Sequence, residues 1–277
     1  MLNDPHGIST ILKKGDIFVL DRGFRDVVSK LEERGYKVLM PALKGNRNQL
    51  TTEESNFLRF VTKILWVVEV VHGIIAQKYK LLHHQFNNRL LPDAGTYCKV
   101  ANLLYNLFGK RLNCDSEKLS DIIARMKSNR NTTNSLAEKV YNENLNRKSV
   151  SFQVLSSRDL LDFPEITTDD LKIYFGRSYQ LSQAISYLGE MVEEDNSLKL
   201  SFLKDEPEIV KFEVKSRHMN RKTYKCYIKY NANEIGIDAI KGHCCNCANG
   251  LRTVGCCSHV ARSDLSFIIW TIFVESF

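Results

Sequence analysis

The chain has 277 residues, of which 43% are apolar and 26% charged, with a formal net charge of +7. That length accommodates one large or two modest domains, and the composition is that of a chain able to bury a core, which excludes a disordered or low-complexity protein. The mildly basic balance permits a polyanionic partner without requiring one. The opening MLNDPHGISTILKKGD lacks the apolar stretch of a secretory signal. The longest apolar run, in LSFIIWTIFVESF, is shorter than the roughly 20 residues that cross a membrane. These features point to an intracellular protein, nuclear or cytoplasmic, with no membrane partner and no evident small-molecule substrate. In such a reducing setting, clustered cysteines are metal ligands more often than disulfides.

Taken in chain order, Asp16–Leu20 is a short apolar strand ending at Asp21. Gly23 supplies a turn, FRDVVSKLEERGY has the pattern of an amphipathic helix, and KVLMPAL is a second buried strand. A β-α-β order of this kind implies neighbouring parallel strands. Thr51 and Glu54 then form a capping box that opens a long helix. Phe57, Phe60, Val61, Ile64, Val68, Val71 and Ile75 follow at spacings of three and four, which places them on one face.

Glu69 sits within that helix among Trp66, Val67, Val68, Val70 and Val71. One reading has it reaching the solvent face. The other pairs it with Asp21, because an acid at the carboxyl end of a strand and an acid on a later helix can together hold Mg²⁺. Two such ions would activate water and stabilise the leaving oxygen in phosphodiester cleavage.

The words around these acids, DRGF at Asp21 and TKILWVVE at Glu69, resemble the DDE superfamily endonuclease domain of Harbinger-like transposases, over about residues 14–110. The resemblance implies an RNase H-like fold with Asp21 as second acid, Glu69 as third, and Mg²⁺ as cofactor. It also implies a damaged site. The family's first acid, on an earlier strand, has no counterpart among the residues before Asp21, where only Asp4 and Asp16 are acidic. Leu65 and Ala76 stand where the family carries Arg and Lys, and His72 stands where Asn is usual. An incomplete sheet with an exposed edge is the expected outcome.

Residues 111–148 read as a connector, with a helix over Ser116–Met126 and a polar stretch from Lys127 to Ser149 that is either a solvated helix or a linker. Its Lys127, Arg130, Arg147 and Lys148 suit a solvated surface or phosphate contacts. A domain boundary is expected near residue 145.

Beyond it, Lys215, Arg217, His218, Arg221, Lys222 and Lys225 form the densest basic stretch, interleaved with Tyr224, Tyr227 and Tyr230. Basic residues among aromatics can bind nucleic acid, and alternation along a strand produces the same letters. Lys225–Tyr230 and Glu234–Ala239 read as strands of a hairpin. His83 and His84 follow a helix and suit a surface or capping role, while the isolated Cys98, Cys114 and Cys226 read as buried thiols.

The hairpin leads into HCCNCANGLRTVGCCSHV, residues 243–260, which holds five of the eight cysteines. Cys245 and Cys247 with Cys257 and His259 spell C-x-C-x9-C-x-H. Three thiolates and an imidazole suit tetrahedral zinc in a closed structural site. Gly250 and Gly255 allow the turns that bring the two pairs together. Spacing alone leaves a second set open, Cys244 and Cys247 with Cys256 and His259, and leaves His243 as a competitor.

This pattern resembles the SWIM zinc finger, in the version found in a transposon-derived group of animal proteins, with the similarity running over about residues 150–262. The resemblance implies Cys245, Cys247, Cys257 and His259 as ligands, Cys244 and Cys256 as bystanders, and DNA or a protein as partner. The expected organisation is α+β. An incomplete RNase H-like half (14–110) and the connector (111–148) precede a small α+β region ending in the finger (149–262) and an apolar tail (263–277). The expected function is that of a transposase-derived, zinc-dependent binding module without intact nuclease activity; the alternative is a Mg²⁺-dependent DDE endonuclease.

Overall fold

The computed structural model describes residues 10–83, 88–110, 119–147, 152–154, 163–176, 199–216 and 222–261. The chain is mixed helix and sheet and divides into two compact units, one built from residues 1–41 and 58–115 and the other from 42–57 and 116–277. Among the described residues no helix is long and apolar enough to cross a membrane.

In the first unit, β1 (Ile17–Val19) and β2 (Lys37–Leu39) pair in parallel, with Ile17 opposite Lys37 and Val19 opposite Leu39. A parallel pair needs a crossover, and the chain provides it through a 3₁₀ turn at Arg22–Val27 followed by α1 (Val28–Glu33). Phe18 meets Tyr36 edge-on at 5.2 Å, closing the space beneath the crossover. Among the described residues this sheet has two strands.

The unit also holds most of α2 (Thr52–Lys78) and all of α3 (Ala94–Phe108). The apolar stripe expected on α2 is used only in part: Val61 and Ile75 are buried, whereas Ile64 and Val68 are exposed. On α3 only Ala101 is buried, so Cys98 is exposed rather than the buried thiol its isolation suggested.

The second unit is organised by a five-stranded antiparallel sheet in the order β3 (Phe152–Val154), β4 (Lys199–Leu203), β5 (Glu206–Lys215), β6 (Thr223–Tyr230) and β7 (Ile240–Cys245). Alternation along the central strands divides the core in two. Ile209, Tyr227 and Cys244 lie with Leu136 and Val140 of α5 (Ser135–Asn142) and with Leu145. Phe212, Val214, Cys226, Ile228 and Cys245 lie with Leu171 and Phe175 of α6 (Thr168–Phe175). Thr167 and Asp170 cap α6 reciprocally, and Asn134 caps α5 by accepting from the Ala137 amide.

Two expectations are corrected here. The stretch from Lys127 is not simply a solvated connector. After α4 (Leu119–Ser128) and a 3₁₀ turn, α5 buries Leu136 and Val140 against the sheet. Two apolar residues four apart make a stripe too narrow to stand out among polar neighbours, yet it is enough to dock a short helix.

The strand expected at Glu234–Ala239 is a 3₁₀ turn over Gly236–Ala239, and the hairpin's second strand begins only at Ile240. Gly236 takes φ of +66°, a left-handed value that a strand cannot contain, and its amide donates to the carbonyl of Glu165. Residues 42–57 separate from the stretch that contains them and join the C-terminal unit, drawn there by hydrogen bonds to the cysteine-rich loop.

Candidate metal centre

β7 ends at Cys245, and there the chain turns sharply. The Cys245 amide donates to the Gly250 carbonyl and the Gly250 amide to the Cys247 carbonyl, each at 3.0 Å. The Cys247 amide donates to Cys245 Sγ at 3.3 Å, a bond that favours the thiolate. β6 braces the turn from the side: the Asn246 amide donates to the Lys225 carbonyl and the Lys225 amide to Asn246 Oδ1. Gly250 is required by crowding, since a Cβ there would lie 1.9 Å from the Cys245 carbonyl oxygen.

The second pair arrives after Gly255, whose φ of +63° reverses the chain. Cys257 immediately precedes a helix that begins at residue 258, and the Ala261 amide donates to its carbonyl, so His259 projects from the first helical turn.

These elements gather one ligand atom from each of Cys245, Cys247, Cys257 and His259 within 4.8 Å of one another. Nδ1 of His259 lies 4.0 Å from Cys245 Sγ. The three cysteines are buried in the α6-side core and His259 is half-buried. Three soft sulfurs and one ring nitrogen around a shared point are the donor set of a tetrahedral cation site.

The sulfurs are electrostatically unequal. Burial, then a hydrogen bond with Cys226, holds the Cys245 thiol well above its ordinary value. Hydrogen bonds to Cys245 and Cys257, then burial, push Cys247 up as well. Cys257, which accepts from both, is held well below. A divalent cation at their centre would displace the protons these sulfurs carry.

The competing ligands fall elsewhere. Cys244 lies on the opposite face of the sheet against Tyr227 and the α5 side chains, and burial pushes its thiol up to about 12. Cys256 is fully buried in the α6-side core outside the group of four. His243 is bonded through Nδ1 to the Tyr174 hydroxyl, and burial pushes it down to about 4. Cys226 is buried as expected, and it stands opposite Cys245 in the β6–β7 register.

Three contacts had no sequence signal. Gln49 Nε2 donates to the carbonyls of both Cys245 and Cys247. Asn56 and Asn134 hold the loop between the ligand pairs, Asn56 through Thr253 and Val254 and Asn134 through the carbonyls of His243 and Leu251. Such bonds join side chains to backbone across more than a hundred residues and leave no periodicity to read. Within the basic stretch Tyr227 and Tyr230 are buried on opposite faces of the sheet, while Lys215 and Lys222, at the ends of the two strands, are exposed. Arg217, His218 and Arg221 lie outside the described residues, as do His84, Cys114, Lys148 and the apolar tail.

The acids of the N-terminal unit are placed as follows. Asp21 caps the 3₁₀ turn, Oδ1 accepting from the Arg22 amide at 2.7 Å. Glu69 is exposed on α2, as are Trp66, Val67 and Val68 beside it. Among the described residues, neither belongs to a group of three or more potential ligands within metal-binding reach. Comparison with family models, with curated proteins and with solved structures finds no match to this chain.

Proposed function

We propose that this chain is a zinc-stabilised binding module of the SWIM type, descended from a DDE transposase and lacking intact nuclease activity. The observation that carries the reading is the convergence of Cys245, Cys247, Cys257 and His259 within 4.8 Å. Such a donor set binds zinc in preference to harder cations and fills all four positions of a tetrahedron. A closed site of this kind supplies folding free energy, with no position left for water or substrate. Its role here is to pin the turn after β7 to the helix that begins at residue 258.

The partner favoured by the charge balance is nucleic acid, met in the nucleus. The chain carries +7, and Lys215 and Lys222 are exposed where β5 meets β6. The N-terminal unit, on this reading, is an incomplete RNase H-like remnant that keeps Asp21 and Glu69 without a working pair of Mg²⁺ ions.

Metal analysis of the purified full chain tests the core of the proposal, with one zinc per chain expected and no stoichiometric metal overturning it. Gel shifts against DNA across a salt series are expected to weaken steeply as salt rises. Plasmid nicking with Mg²⁺ or Mn²⁺ is expected to be absent. Nicking that disappears in Glu69→Gln would establish the endonuclease instead.

A further inference from the structure

The turn that carries Cys245 and Cys247 is gripped from outside by a segment almost two hundred residues away in sequence. Gln49 Nε2 donates to the Cys245 and Cys247 carbonyls, each at 2.8 Å. The Leu50 amide donates to the Ala248 carbonyl at 2.9 Å. Farther along, Asn56 Oδ1 accepts from the amides of Thr253 at 2.9 Å and Val254 at 3.0 Å, while its Nδ2 donates to Thr253 Oγ1 at 2.8 Å. Leu50 and Asn56 are each only 2% exposed. Gln49 and Leu50 therefore hold the first ligand pair, and Asn56 holds the loop leading to the second.

The gripping segment is braced internally. The Thr51 amide donates to Glu54 Oε2 and the Glu54 amide to Thr51 Oγ1, and Arg47 pairs with Glu54 at 2.8 Å. The two carbonyls meet one amide group because the turn is closed by the bonds from the Cys245 amide to the Gly250 carbonyl and from the Gly250 amide to the Cys247 carbonyl. That same closure sets the sulfurs of Cys245 and Cys247 toward Cys257 and His259.

We infer that residues 47–57 are a latch coupled to metal occupancy. This rests on the zinc reading of the four ligands. The loaded turn presents the paired carbonyls to Gln49, and the docked latch in turn favours the metal-bound turn. Coupling of this kind is reciprocal: whatever zinc adds to latch docking, the latch adds to zinc affinity. α2 begins at Thr52, inside the latch, so emptying the site also loosens the cap of that helix.

Hydrogen exchange on the full-length chain, with its zinc and after chelation, tests the coupling without any substitution. Chelation is expected to expose the amides of residues 49–57 together with those of 245–261. Zinc demonstrably removed with the 49–57 amides unchanged would overturn the latch and leave the metal site standing. A chain that binds no zinc at all would overturn both.

The reverse direction uses Gln49→Ala, expected to weaken zinc affinity about tenfold through the loss of two hydrogen bonds. Arg47→Ala, which removes the Glu54 ion pair and hydrogen bonds to the Leu43 and Lys44 carbonyls but no contact with the turn at Cys245–Gly250, is expected to change it less than about twofold. Equal effects from the two variants would also count against the latch.

Discussion

The imidazole of His259 lies against the ring of Tyr224, centroids 4.1 Å apart and planes 32° from parallel. Tyr224 projects from β6 and carries the Lys222 ammonium 5.1 Å from its centroid. The stack fixes the plane of His259 and leaves Nδ1 facing Cys245 Sγ. A ring contact of this kind contributes about 0.5–1.5 kcal/mol. Tyr224→Ala should therefore weaken zinc binding roughly two- to twelvefold, while Tyr224→Phe keeps wild-type affinity. Competition against a chromogenic chelator reads both.

Ligands and bystanders should separate cleanly. Cys245→Ser or His259→Ala is expected to abolish stoichiometric zinc, unfold the end of the C-terminal unit and release residues 49–57, leaving the protease resistance of the strands and α3 of the N-terminal unit unchanged. Cys244→Ala should retain one zinc per chain and cost about 1–2 kcal/mol, since it removes a buried side chain from the α5-side core. Metal content and limited proteolysis of the three variants provide the check.

Gly250→Ala places a methyl group 1.9 Å from the Cys245 carbonyl oxygen and 2.6 Å from its carbon. Neither atom belongs to a flexible side chain, so the turn itself must open. A loss of about 3 kcal/mol is expected, accompanied by loss of zinc. Thermal melts with and without added zinc would show it, and an unchanged melting temperature would contradict the turn geometry.

Tyr227 is buried, and its single hydroxyl proton is shared between the Leu145 carbonyl at 3.2 Å and Asn146 Oδ1 at 3.1 Å. Burial, then the nearby Cys244, raises the phenol above its ordinary value. A raised value means that the stabilisation is complete below the unfolded phenol's pKa of about 10 and is lost as pH climbs toward the folded value. Urea midpoints should fall above about pH 10 in the wild type and fall less in Tyr227→Phe. At neutral pH the variant should already be weaker by about 1 kcal/mol.

What could be read from the letters depended on range. The Thr51–Glu54 box is local, and both of its hydrogen bonds form. The β1-α1-β2 crossover follows from chain order, and the strands pair in parallel. Spacing left two sets of cysteines open, and the fold brings Cys245, Cys247, Cys257 and His259 together while placing Cys244 behind the sheet, a matter of strand parity that spacing could not decide. The strand expected at Glu234–Ala239 failed because Gly236 turns left-handed there, a choice made by the contact with Glu165. Gln49 and Asn56 were invisible, since amide side chains that bind distant carbonyls follow no period.

Gln49 is separated by 196 residues from Cys245, whose carbonyl it grips. At about 5–20 residues per second, a ribosome needs roughly 10–40 s to bring the second after the first. Throughout that interval the Gln49 amide of the nascent segment bonds to water in place of that carbonyl. This contact therefore cannot form before Cys245 is made, and a stall between these two points would delay it for correspondingly longer.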